Sequence, residues 1–414
     1  MMNEATTAAA PARAGADPDT RLVVLLMFGV LLLSYVINAM DRQIFPLLAA
    51  DVRRDYGFSL ADTGLLSTIF TLGMAVAGWP TGYLLARYSR KAVLQIGIAI
   101  FSVGTVLTAY AAGMADMLVY RAATGIGEAM QLTALIAVAT SYFVRYRAVA
   151  VGAINASFGV GAILGPIAAA MLLQLEGTWR GPIIGFGLIG FVAMAAIWLC
   201  VSPALTEVVD RRDGRAAMGG AASLANRNTV LLTVLSVIGG LIIYGYLGMY
   251  PTFLREELKF SPADTGRVMS IYGLGVLASL VGGWLGDRFS PRLVLGAAFL
   301  AAAALGYFIF QGATAFVAQA ALSFVWGFVI SGTIYVNLAG YHVKAVVPSE
   351  AGRATGIFVT SLYGAGAFAG YLIGFIAGKA GWVSAGLVQI SCLALVGALL
   401  SLALRPQAMA GARR

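Results

Sequence analysis

The sequence predicts an all-α polytopic membrane protein, with twelve transmembrane helices in two pseudo-symmetric six-helix bundles. Three observations carry this. Of 414 residues, 60% are hydrophobic and only 11% charged, against about 25% charged in a soluble globular domain. The charges gather between apolar stretches of roughly 20 residues, the length that crosses a hydrocarbon core of about 30 Å. One pattern also occurs twice: Phe58-Ser-Leu-Ala-Asp-Thr-Gly64 returns as Phe260-Ser-Pro-Ala-Asp-Thr-Gly266, 202 residues later.

The apolar stretches place spanning helices at about 22–45, 60–86, 91–111, 115–143, 147–173 and 180–202 in the first half, by length and flanking charge. In the second half they fall at about 228–254, 262–288, 292–311, 315–342, 350–378 and 383–404. A β-barrel is excluded, since its strands need alternating polarity over about ten residues. Most of the 51 glycines lie inside apolar segments, where small residues let helix backbones approach in lipid. Cys200 and Cys392 stand alone in apolar runs and read as small buried hydrophobes.

The domain expectation follows: a disordered cytoplasmic tail at 1–20, a six-helix bundle at 21–202, a linker at 203–227, a second bundle at 228–405 and a tail at 406–414. The first tail is rich in Ala, Thr and Pro and lacks the basic start, apolar core and cleavage site of a signal peptide. The net charge of +9 is explained by topology rather than by nucleic acid. With both termini inside, 18 of 27 basic residues fall on inner segments, among them Arg13, Arg145, Arg211, Arg212, Arg215, Arg413 and Arg414. That bias favours cytoplasmic termini and a multi-pass protein of the plasma membrane, in a bacterium the inner membrane. Paired repeats of this kind build many secondary transporters, with the substrate site between them.

After each copy of the heptapeptide and a long apolar run comes a second repeated element. It reads Gly82-Tyr-Leu-Leu-Ala-Arg-Tyr-Ser-Arg-Lys91 in the first half and Gly283-Trp-Leu-Gly-Asp-Arg-Phe-Ser-Pro-Arg292 in the second. With Arg121-Ala-Ala-Thr-Gly-Ile-Gly127 and Gly161-Ala-Ile-Leu-Gly-Pro166, these elements resemble those of the major facilitator superfamily, over both halves of the chain. The family signature runs Gly-x-Leu-x-Asp-Arg-x-Gly-Arg-Arg. Here the first copy keeps Gly82, Arg87, Arg90 and Lys91 but has Ala86 for the acid; the second keeps Gly283, Asp287, Arg288 and Arg292. Ser89 and Ser290 stand where Gly is usual. The resemblance implies a gating role for these residues, holding the cytoplasmic side closed. The plainer reading is that Arg87, Arg90 and Lys91 only set topology.

Four ionisable residues fall inside apolar spans: Asp41 and Arg42 in the first, Arg121 and Glu128 in the fourth. Each costs about 2.5–3.5 kcal/mol at a bilayer centre even on the lenient insertion scale, so an internal cavity, mutual pairing or both are expected. Glu128 lies near mid-membrane, seven residues from Arg121 on nearly the same face. Desolvation disfavours its ionised form and a nearby guanidinium favours it, which makes Glu128 the first candidate for proton coupling. Arg42 is the natural anchor for an anion because its planar fork grips a carboxylate or phosphate, with Arg121 beside it. Asp41 is a second proton site, a partner of Arg121, or an exposed cap near the outer end of its helix.

Tyr35 and Asn38 lie within two turns of the charged pair and are expected to face the same cavity. Tyr246 and Tyr250, at i,i+4 spacing, read as an outer gate or cavity wall; Trp326, Asn337, Tyr363, Tyr244 and Asn155 complete the polar and aromatic candidates. His342, the only histidine, reads as interfacial. Neither a metal site nor a nucleotide-binding loop is legible, so no metal and no cofactor is expected, and the chain is read as no enzyme.

Asp-Arg late in the first span with Gly-x-Gly-Glu in the fourth is similar to the organic anion/proton symporter branch and to bacterial spinster-like lipid transporters. In both, the resemblance implies recognition or coupling roles that fall here on Arg42 and Glu128. The expected function is proton-coupled symport of a small or amphipathic organic anion by rocker-switch alternating access, acting as a monomer among membrane lipids. The rivals are export of lipids or drugs and a non-transporting sensor.

Overall fold

The computed structural model describes residues 18–143, 147–207, 220–347 and 350–409. The expected tail at 1–20 falls outside them save its last three residues. Arg13, Arg145, Arg211, Arg212, Arg215, Arg413 and Arg414 lie outside them as well.

The first half comprises α1 (Pro18–Tyr56), α2 (Leu60–Thr68), α3 (Phe70–Arg87), α4 (Arg90–Thr108), α5 (Met114–Tyr142), α6 (Arg147–Glu176) and α7 (Arg180–Cys200). A short α8 (Pro203–Thr206) follows. The second half comprises α9 (Arg227–Glu256), α10 (Pro262–Leu277), α11 (Ser279–Arg288), α12 (Pro291–Gln311) and α13 (Phe316–Gly327). A π-helical stretch (Phe328–Tyr335), α14 (Val336–Lys344), α15 (Ala351–Ala385), a second π-helical stretch (Gly386–Cys392) and α16 (Leu393–Ser401) complete it.

Among the described residues, eleven helical segments are long and apolar enough to cross a membrane. The last, Ala351–Ser401, is 51 residues long and leaves helical geometry at Gly381, whose φ is +82°. Divided there it supplies two stretches of spanning length, in keeping with the twelve expected.

The repeated heptapeptide is a helix start. Ser59 Oγ accepts from the Asp62 amide at 3.1 Å, and the Asp62 carboxylate accepts from the Ser59 amide at 3.2 Å. At the start of α10, Ser261 Oγ accepts from the Asp264 amide at 3.0 Å. The motif recurs because both helices need the same orphan amides satisfied. Ser89 likewise caps α4 through the Ala92 amide at 3.1 Å, which gives a local reason for serine where the family has glycine.

Several expectations need correction. The first helix continues to Tyr56, about three turns past its expected end at 45, with Pro46 accommodated inside it. Asp41 is therefore mid-helix and 2% exposed, not an exposed cap. His342 is fully buried: its Nδ1 lies 2.8 Å from the Leu338 carbonyl and its ring packs on Phe358. Cys200 and Cys392 are exposed, not buried, because the outer faces of a membrane-spanning bundle meet hydrocarbon, so apolar residues lose nothing there. The segment expected as a polar linker contains α8 and a bridge between Ala221 and Val346.

Alternation of the spans puts the ends near Tyr56, Glu176 and Glu256 on one side and the loop 88–89 with α8 on the other. On the Tyr56 side the halves are drawn together. Arg53 meets Glu256 at 2.9 Å and Arg255 pairs with Asp51. There α2 and α15 approach so closely at Gly64 and Gly370 that a Cβ on either would overlap the other's carbonyl, which is why glycine is needed at both. The halves are closed against each other on the Tyr56 side.

Candidate functional site: a buried charge cluster between α1 and α5

Helical spacing builds the cluster. Tyr35, Asn38 and Arg42 fall at i, i+3 and i+7 on α1; Arg121, Glu128 and Gln131 stack along α5. Pro46, lacking an amide hydrogen, leaves the Arg42 carbonyl without its helical partner. Gly125 admits α3 between the two α5 charges: a Cβ there would overlap the Phe70 carbonyl.

Arg42 Nε lies 3.0 Å from Glu128 Oε2, with side chains 5% and 1% exposed. The pair is close but not aligned as a hydrogen bond, and Arg42 Nη2 and Glu128 Oε1 have no hydrogen-bond partner. Asp41 accepts from Thr105 Oγ1 at 3.1 and 3.0 Å, and it lies close enough to Glu128 for the two carboxyls to feel each other. Arg121, 3% exposed, donates from Nε to the Leu66 carbonyl at 3.3 Å and sits 4.5 Å over Phe45 and 5.4 Å over Phe70.

Asn38 Nδ2 donates to Gln131 Oε1 at 2.8 Å, and Gln131 Nε2 donates to Ser34 Oγ at 3.0 Å. This amide pair fixes the register of α1 on α5 and so the approach of Arg42 to Glu128. Across from them the second half presents tyrosines and no charge. Tyr244 and Tyr363, with Tyr35 from α1, lie near enough to Arg42 to feel its charge. Tyr335 and Tyr363 share a hydroxyl contact of 2.9 Å. A cavity lined by Arg42, Ser67, Phe70, Phe158, Tyr244 and Leu247 offers about 20 Å³ to water-sized centres.

The structure therefore brings together Asp41, Arg42, Arg121, Glu128, Tyr35, Asn38, Tyr244 and Tyr363. It places the other candidates elsewhere. Tyr246 and Tyr250 are fully buried, stacked on each other at 4.4 Å and bonded to Ser323 at 2.6 Å and Gln319 at 2.7 Å. Trp326 packs on Tyr246 in that aromatic core. Asn337 donates to the Gly282 and Thr333 carbonyls at 2.9 Å. Their i,i+4 spacing described a core face, which period alone cannot tell from a cavity wall. Tyr335, Gln131, Thr105 and Phe70 escaped the sequence reading; Gln131 was signalled by its i+3 relation to Glu128, while Tyr335 is turned by the π-helical stretch and left no pattern.

Among the loop residues, Lys344 pairs with Asp287 at 2.7 Å. Glu207 accepts from the Arg90 and Lys91 amides at 3.1 and 3.2 Å, and Lys91 Nζ caps the end of α7 through the Trp198 and Val201 carbonyls. Arg87 lies over Tyr83, Arg288 over Trp284, and Arg292 donates to the Leu404 carbonyl. These bonds stay within a half, while Arg53–Glu256 and Arg255–Asp51 on the Tyr56 side cross between halves. Gly82 and Gly283 sit on the helices before these loops.

Comparison with known proteins gives a consistent picture. The gallate transporter of Pseudomonas putida is 25% identical over 403 residues, covering 86% of both chains. The 4-hydroxybenzoate transporter of Pseudomonas aeruginosa is 24% identical over 418 residues, covering 91% of both. Protein spinster of Drosophila melanogaster is 29% identical over 289 residues, 64% of this chain and 46% of that longer protein. The crystal structure of a bacterial homologue of the human lysosomal transporter spinster, inward-facing and occupied, matches with TM-score 0.73 at 17% identity over 94% of this chain and 96% of that one. The profile of the Major Facilitator Superfamily matches residues 31–371. The chain is a membrane-spanning transporter that belongs to the Major Facilitator Superfamily.

Proposed function

We propose that this chain carries an organic anion across the membrane together with a proton, by rocking of the bundles 21–202 and 228–405 about the 203–227 linker. The observation that carries this reading is the balance of the cluster. Two guanidiniums face two carboxyls, and Arg42, whose buried Nη2 has no partner, lines the cavity between the halves. Entry of a monoanion upsets that balance unless a proton enters too, since an uncompensated buried charge costs several kcal/mol.

In the proposed cycle the anion takes the Arg42 guanidinium, Glu128 loses its counter-ion, and Glu128 or Asp41 takes the proton. The cluster stays neutral, and the cavity can close in low dielectric. Arg121, Tyr35, Asn38 and Tyr363 complete the contact surface in this reading. Gly82, Arg87, Arg90, Lys91, Gly283, Asp287, Arg288 and Arg292 form the gate of the α8 side. In this reading both termini lie in the cytoplasm, as the excess of basic residues on that side favours, and the transporting unit is a monomer. The names of the Pseudomonas relatives support a carboxylated aromatic as cargo, and the ring of Tyr244, Phe70 and Phe158 around Arg42 suits one.

The test is uptake into proteoliposomes under imposed pH and voltage gradients, with hydroxylated benzoates, aliphatic carboxylates and lysophospholipids as probes. Accumulation of a carboxylate driven by the pH gradient is expected. Movement of lysophospholipid alone would favour the amphipath exporter, and no flux of any probe a non-transporting sensor.

A further inference from the structure

Two cavities border the charge cluster and share no lining residue. One lies between the halves beside Arg42. The other lies within the first half, lined by Asp41 and Phe45 of α1, Thr105 and Thr108 of α4, Arg121 of α5 and Ile183 of α7. It leaves about 10 Å³ in which a water centre can sit, close to the least that one water requires.

The lining is polar in a directed way. Thr105 Oγ1 spends its hydrogen on Asp41 and Thr108 Oγ1 on the Gly104 carbonyl at 2.8 Å, so both hydroxyls keep lone pairs to offer. Arg121 is 3% exposed and its Nη2 has no partner. A water held here accepts from Arg121 and donates to Asp41 or a threonine. The same guanidinium repels a metal cation. Around Asp41, α5 presents Arg121 and Glu128, α1 presents Arg42, α4 the Thr105 hydroxyl, and α7 the apolar Ile183.

Thr108 ends α4 and Ile183 lies in the first turn of α7. This cavity therefore approaches the Tyr56 side, where the halves are shut against each other. Its lining comes from the first half alone, so it reaches Asp41 without bordering the interface between the halves.

We propose that this cavity is a water site delivering the proton to Asp41 and then to Glu128, separate from the anion cavity at Arg42. The proposal rests on the proton-coupled reading above. Water passes a proton to an Asp41 oxygen and is reprotonated from solvent; the Asp41 acid hands its proton to Glu128 and returns to a carboxylate. Glu128 accepts only when Arg42 lets go, and an anion claiming Arg42 brings that about. Proton and anion thus travel by different paths that meet at one ion pair.

Infrared spectroscopy of the purified full chain in lipid tests this without knowledge of the substrate. The wild type is expected to show, on acidification, a buried carboxylic acid band that Glu128→Gln removes, and that band shifts in D2O. Thr105→Val should keep the band, with a modest fall in melting temperature for the lost bond to Asp41, yet slow its deuteration by about a hundredfold, the lower end of what a positioned proton-transfer group contributes. Thr105→Ser should restore the wild-type rate, and Thr108→Val, a second variant should the first not fold, should slow it as well. Deuteration of the valine variants at the wild-type rate would overturn the water path and leave the coupling reading standing. Absence from the wild type of any band that Glu128→Gln removes would overturn both. A band that moves with sodium concentration would replace the water site with a cation site.

Discussion

Arg42 and Glu128 approach to 3.0 Å in a nearly sealed interior without forming an aligned hydrogen bond. Charge holds the pair, and the unused Nη2 of Arg42 is turned to no other protein acceptor. Such a pair is costly to break by removing one member, because the other stays buried and uncompensated. It is open to exchange when a new anion arrives for the guanidinium.

Glu128→Gln keeps the shape of the side chain and removes its titration. Proton-driven accumulation in proteoliposomes should be lost while equilibrium exchange of labelled substrate continues. Normal proton stoichiometry in this variant would remove Glu128 from the coupling step.

Arg42→Ala should lower stability by about 3–5 kcal/mol, the penalty of orphaning a buried partner, besides abolishing anion affinity. Arg42→Ala with Glu128→Gln should recover most of that stability and none of the affinity. A double variant as unstable as the single one, by thermal unfolding in lipid, would show that the pair is not the source of the loss.

Gly64→Val places a side chain where α15 carries the Gly370 carbonyl. The variant should fold yet fail to close on the Tyr56 side. Spin-label distances between the halves on that side should lengthen; unchanged distances would mean that α2 and α15 separate without consequence.

Arg53–Glu256 and Arg255–Asp51 are partly exposed ties across the halves, each contributing up to about 1 kcal/mol. Asp51→Asn with Glu256→Gln should raise the population open on that side by up to about thirtyfold. The same distance measurement reads it, and high salt should mimic it in the wild type.

Tyr246→Phe removes the hydroxyl contact with Ser323 in a packed core. Stability should fall by about 1 kcal/mol, with transport rates unchanged. A changed substrate preference would return Tyr246 to the cavity wall.

Most of the architecture was legible because a bilayer imposes a length and a polarity on every span. The heptapeptide at Phe58 and Phe260 and the charges at Arg42 and Glu128 stand out against that background without any knowledge of packing. The position of Asp41 did not, since the continuation of α1 through Pro46 to Tyr56 depends on the helices that surround it. Nor did the burial of His342, the exposure of Cys200, or the difference between Tyr363 at the site and Tyr250 in the core.

The sequence by itself determined that this chain spans a membrane as two related halves and carries ions in its first and fourth spans, since each such ion must be rare, paired and internal. The tertiary structure alone decided which guanidinium meets which carboxylate, that tyrosines of the second half face them, and that Asp41 borders a separate small cavity. Those relations join residues on different helices, and a helical period orders residues only along one.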